Sequence, residues 1–128
     1  MKPRLPRPTD AELAILRVLW ERGPSTVRQV HESLSGDRAI GYTTALKLMQ
    51  IMADKGLVER DETDRTHVYA PRRSEEHTQR QLLQDLLDRA FGGSSLKLVM
   101  QALSSKKASP EELAQIRQLL DDRERGTR

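Results

Sequence analysis

YTTALKLMQIMADKGLVERD, residues Tyr42–Asp61, joins a one-faced helical period to a glycine stop and a short strand-like segment. Ala45, Leu48, Met49 and Met52 recur at the helical period, which predicts a helix from about Thr43 to Lys55 with one apolar stripe. Its opposite stripe, Thr43, Thr44, Lys47, Gln50 and Asp54, is wholly polar. Gly56 stands where a helix turns left-handed to stop. Two short segments follow, LVERD (Leu57–Asp61) and THVYA (Thr66–Ala70), flanking the polar ETDR. They predict a small hairpin closed by Pro71.

Upstream, Leu13, Leu16 and Trp20, flanked by Ile15 and Leu19, form the apolar face of a first helix from Thr9 to Arg22. Thr9 and Glu12 have capping-box spacing, and Gly23-Pro24 ends the helix. Ser25 or Thr26 can cap a second helix carrying Val27, Val30 and Leu34, which Ser35-Gly36-Asp37 breaks. Three helices and a hairpin in this order indicate a winged helix-turn-helix in residues 1–73.

Beyond Pro71 the composition shifts to Gln, Leu and charge. A fourth helix presents Leu82, Leu83, Leu86, Leu87, Ala90 and Phe91 and stops at Gly92-Gly93. Ser94 or Ser95 opens a fifth, with Leu96, Val99, Met100 and Leu103 inward. Ser109-Pro110-Glu111-Glu112 supplies N-cap, first-turn proline and capping-box glutamate for a sixth, carrying Leu113, Ile116 and Leu120. The closing RERGTR reads as frayed. The fold class is therefore mainly α: a winged helix-turn-helix, then a three-helix C-terminal segment in residues 74–128. So short a segment buries too little apolar surface to stand alone without metal or disulfide. Its stripes expect cover, either from the first domain or, most simply, from a second copy under twofold symmetry. That makes it a dimerisation domain.

A chain of 128 residues holds one domain, or a small domain with an accessory segment. It has no cysteine, which excludes disulfides, thiolate metal sites and a cysteine nucleophile. MKPRLPRP lacks the apolar run of a secretory signal, and no stretch approaches the ~20 apolar residues of a membrane span. A cytoplasmic protein without a membrane partner is the expectation. The net charge of +3 is unevenly placed: residues 1–73 hold 13 Lys and Arg against 10 Asp and Glu, and residues 74–128 hold 9 of each. With only Trp20, Tyr42, Tyr69 and Phe91 as aromatics, a base-stacking surface for single strands has little to build on. A helical reader of duplex stays open.

Catalytic patterns are absent. His31-Glu32 begins like a zinc-protease motif, but the second histidine one turn on is replaced by Ser35. His31, His67 and His77 share no ligand spacing, and no nucleophile elbow or phosphate-binding glycine loop occurs. The reading is no enzyme, no metal and no cofactor. The polar stripe of the third helix, by contrast, suits base edges. Thr43 and Thr44 can meet thymine methyls, Lys47 can reach guanine O6 and N7, and Gln50 can bond adenine. Tyr42 either donates to a phosphate or staples the helix start onto the core. Arg65 and His67, at the turn and returning strand, stand where a wing meets the adjacent groove or backbone. Lys2, Arg4 and Arg7 form a basic arm, either a phosphate contact or a solvated tail.

Taken together, TDAELAILRVLWERGPSTVRQVHESL (Thr9–Leu34), YTTALKLMQIMADKGLVERD, THVYAP (Thr66–Pro71) and RAFGGSSLKLVMQAL (Arg89–Leu103) resemble the penicillinase-repressor family over nearly the whole chain. The resemblance implies a homodimeric winged-helix repressor that binds a palindromic operator and blocks transcription. Its recognition-helix positions match Tyr42, Thr43, Thr44 and Lys47. In the best-known members a signalling protease cuts within the C-terminal helices when a membrane sensor detects β-lactams. The corresponding region, near Gln101-Ala102, lacks their Asn-Phe pair, and the chain lacks the cysteine motif of the copper-responsive branch. An alternative is a winged-helix adaptor that recruits a protein and never meets DNA. An adaptor presents an apolar patch on its reading face, whereas this stripe is polar.

Overall fold

The computed structural model describes residues 7–105 and 107–126. Among them, α1 (Asp10–Arg22), α2 (Val27–Ser33) and α3 (Tyr42–Lys55) precede the strands β1 (Val58–Asp61) and β2 (Val68–Pro71). Then come α4 (Glu75–Ala90), α5 (Ser95–Ser105) and α6 (Pro110–Gly126). The chain is a winged helix-turn-helix followed by three helices, mainly α as its sequence indicates. It divides into two compact units between Leu83 and Gln84, a point inside α4. Lys2 and Arg4 of the basic arm lie outside the described residues.

Local chemistry sets the helix starts of the first unit. Thr9 Oγ1 accepts from Glu12 N at 3.2 Å, and Glu12 Oε1 accepts from Thr9 N at 2.9 Å. Thr26 and Gln29 repeat the box on α2 at 3.1 and 3.0 Å. Thr26 is thus the cap, which frees Ser25 for another task. Ser25 N donates to Tyr69 O at 2.9 Å and Tyr69 N to Ser25 O at 2.8 Å, so one residue lies as a third strand beside the hairpin. After α2 the chain makes a 3-10 turn, Gly36–Arg38, before α3 starts at Tyr42, one residue earlier than its periodicity predicts. Gly56, at φ +83°, closes α3 by donating to Ala53 O and Met52 O.

The core comprises Ile15, Leu16 and Leu19 of α1, Val27 and Val30 of α2, Ala45, Met49 and Met52 of α3, Val58 of β1 and Tyr69 of β2. Each large apolar side chain so buried contributes about 1.5 to 3 kcal/mol. The buried face of α1 is Glu12, Ile15, Leu16 and Leu19, while Leu13 and Trp20, expected at its centre, are half-buried. Apolar periodicity misplaces this face because a carboxylate occupies part of it. Glu12 is 1% exposed, and Lys55 Nζ donates to its two oxygens at 3.1 and 2.9 Å. This pair ties the start of α1 to the last turn of α3. Leu48 is likewise half-buried, beside the stripe of Ala45, Met49 and Met52. Trp20 Nε1 donates to Arg73 O at 3.1 Å, fixing the chain where it leaves β2.

The hairpin is shorter on its return side than expected. Its register pairs Val58 with Pro71, Glu59 with Ala70, Arg60 with Tyr69 and Asp61 with Val68. Pro71 therefore belongs to β2, at the strand end where a missing N–H is tolerated. Thr66 and His67 fall in the connecting loop, which opens with Asp61 accepting from Thr63 N at 2.9 Å.

In the second unit, α4 stops at paired glycines of φ +56° and +82°, and Gly93 N donates to Leu87 O at 2.9 Å. That is the left-handed stop that glycine makes inexpensive. Ser94 Oγ accepts from Lys97 N at 3.2 Å and caps α5. Ser109 and Glu112 form the expected capping box on α6, both bonds 3.1 Å long. Helix α6 continues through Arg123-Glu124-Arg125 instead of fraying there. Acids in its first turn and arginines in its last oppose the helix dipole, and Gln118 donates to Asp122 one turn on at 2.9 Å. None of the residues of α5 and α6 is buried. No described helix is long and apolar enough to cross a membrane.

Candidate nucleic-acid interface

Helix α3 meets solvent along its polar stripe: Thr43, Thr44, Lys47 and Gln50 are all exposed. Its start differs from those of α1, α2 and α6. The N-cap is Gly41, and no side chain accepts from the first N–H groups of the helix. Such an end is a natural seat for an anion. Tyr42, 42% exposed, is held at this end by α2. The His31 ring meets it edge-on, with centroids 5.9 Å apart at 85°, and Arg28 Cζ lies 5.6 Å from its centroid. Tyr42 thus packs against two residues of α2 rather than into the core, and it keeps an exposed edge.

Between α2, α3 and the hairpin runs a groove of about 420 Å³. Tyr42 and Gln50 line it from α3, Arg65 and His67 from the loop before β2, Arg28 from α2 and Arg60 from β1. Four of the seven residues that the sequence singles out therefore converge on one concavity. Thr43, Thr44 and Lys47 are exposed on α3 outside it. Three guanidinium groups and a histidine around a groove, beside a polar helix face, make a surface suited to a polyanion whose edges offer hydrogen-bonding groups.

Two lining residues escape a reading by motif, though a signal for each exists. Arg28 follows the Thr26 cap and lies one turn before His31, so both share a face of α2. Arg60 lies two residues after the buried Val58, on the same face of β1, and stands opposite Tyr69 in the hairpin register. Arg60 donates through Nε to Glu62 Oε2 at 2.6 Å. The Tyr69 phenol first, and then Glu62, hold the Arg60 guanidinium above its ordinary pKa. Beside it, hydrogen bonds from the Thr63 hydroxyl and N–H hold the Asp61 carboxyl below its ordinary value. Among the described residues no three His, Asp or Glu side chains gather as a metal site.

The apolar residues expected at a dimer contact divide by exposure. Leu83, Leu86, Leu96, Val99, Met100, Leu103, Leu113 and Leu120 are exposed, while Leu82, Leu87, Phe91 and Ile116 are half-buried. Leu119, which the sequence stripe omitted, is 67% exposed beside Leu120.

Comparison with known proteins places this architecture among relatives. A family model described as Penicillinase repressor matches residues 8–122. Over 93 residues the chain is 41% identical to the protein named Transcriptional regulator BlaI of Mycobacterium tuberculosis, a match covering 72% of this chain and 67% of that one. The same figures hold for that regulator in a second strain. Over 119 residues it is 24% identical to the Penicillinase repressor of Bacillus licheniformis, covering 93% of each.

Proposed function

The chain belongs to the penicillinase repressor family, and from that premise we propose that it is a transcriptional repressor that binds an inverted-repeat DNA operator as a homodimer. The observation that carries this reading is the convergence of Tyr42, Gln50, Arg65 and His67 on one groove beside the uncapped start of α3. The major groove admits an α-helix, and a recognition helix contacts bases near its N-terminus. Thr43, Thr44, Lys47 and Gln50 are the base readers. Tyr42 and the N–H groups of the first turn of α3 take a phosphate, and Arg65 and His67 hold the neighbouring backbone. The polar character of this face favours DNA over a protein partner.

The C-terminal helices hold two heads together, a reading supported by the exposed stripe of Leu96, Val99, Met100 and Leu103 along α5. A signal acting there, whether by a protease cutting near the exposed Gln101 and Ala102 or by another route, releases DNA without touching α3. The test is selection of bound sequences from random duplex, followed by two substitutions. Lys47→Ala should weaken the selected site and relax preference at one position per half-site. Arg65→Ala should weaken all duplexes about equally and lower the salt slope by about one. Binding left intact by both substitutions refutes α3 as the reader.

A further inference from the structure

The hairpin carries a cation that is already occupied. Arg60 stands opposite Tyr69 in the register and lines the same groove as Tyr42 and Gln50. Tyr69, its partner in the register, is 1% exposed and so fixed by the core. The outer side of the same guanidinium is taken by a carboxylate: Glu62 Oε2 lies 2.6 Å from Arg60 Nε, and the two side chains are 53% and 33% exposed. A carboxylate engages a guanidinium through the same planar donor edge that a phosphate uses. An ion pair open to solvent is also weak enough to be exchanged.

We propose that Arg60 is a backbone-phosphate clamp of the reading face and that Glu62 is its built-in competitor, occupying the guanidinium until a duplex phosphate displaces the carboxylate. The proposal rests on the DNA-binding reading and adds a control on its strength. Phosphates carry no sequence information, so the competitor lowers affinity for every duplex alike and leaves preference unchanged. Tyr69 keeps the guanidinium in place during the exchange. The hairpin therefore has no need to move, and the freed Glu62 side chain passes into water.

The experiment is a double-mutant cycle on the full chain at physiological salt. Its probes are a duplex selected by the wild-type protein from a random library and a scrambled duplex of equal length. Glu62→Gln should raise affinity for both by about two- to fivefold. Arg60→Ala should weaken both and lower the salt slope by about one. In the Arg60→Ala background the gain from Glu62→Gln should vanish. Arg60→Lys, which restores the charge, should restore the slope, and unchanged melting of the variants guards against loss of the hairpin. A gain as large without Arg60 as with it, or no gain in the wild-type background, overturns the proposal while leaving the DNA-binding reading intact. Failure of the wild-type protein to bind any duplex overturns both.

Discussion

Glu12 serves two structures at once: it completes the capping box of α1 and takes Lys55 from the last turn of α3. Its removal costs more than a surface charge does, because Thr9 N and Lys55 both lose their acceptor in a site that is otherwise packed. Glu12→Ala should cost roughly 2 to 3 kcal/mol in denaturant unfolding. Glu12→Gln keeps an oxygen for the cap and should cost less. Asp61 offers a pH test. Its folded pKa is depressed by Thr63, so the stability it adds is fully present above its unfolded value and is lost as pH falls through the folded one. Carboxyl titration by NMR should place Asp61 below the ordinary 3.8, and Thr63→Ala should move it back up. Thr9 and Glu12 announce their box by spacing alone. The pairing of Glu12 with Lys55 spans 43 positions and has no local signature.

At the level of elements, the starts and stops were legible and the seams were not. Gly56 is a case of the first kind, since its φ of +83° is imposed by the helix end itself. A Cβ there would meet nothing closer than Arg72 Nη1 at 4.0 Å, so the cost of Gly56→Ala is backbone strain rather than a clash. It should come to about 1 to 2 kcal/mol, read from the unfolding midpoint. Ser25 is a case of the second kind. Its sequence permits a cap, but its exchange of backbone bonds with Tyr69 depends on where β2 passes. The groove behaves likewise: Arg28, Gln50 and Arg65 come from three elements, and their spacing in the chain says nothing of their meeting.

On the scale of the whole molecule, the two units make different demands. The first has a core of its own. The helices α5 and α6 bury none of their residues, and Leu96, Val99, Met100 and Leu103 repeat along one exposed face. If a second copy covers that face, sedimentation should give a mass near twice the 14.6 kDa chain. Met100→Lys together with Leu120→Lys should then drive the protein toward monomer, since each buried side chain contributes about 1.5 to 3 kcal/mol and twofold symmetry counts it twice. A concentration-independent monomer in the unsubstituted protein refutes the dimer. Twofold heads also demand half-sites on one face of the duplex, so inserting about half a helical turn at the centre of a selected repeat should abolish tight binding by the full chain. Indifference to that insertion refutes paired heads.

Periodicity, caps and glycine stops are written within a few neighbouring residues, so the order of helices, the hairpin and the polar stripe of α3 could be read from the chain alone. The tertiary structure decided which face of α1 is inward, because a buried carboxylate is invisible to an apolar count until Lys55 is brought to it. It decided that β2 takes in Pro71 and leaves His67 in the loop, because strand length follows from pairing rather than from composition. It also decided that Arg28 and Arg60 share a groove with Tyr42, because a concave surface is made only when distant segments pack.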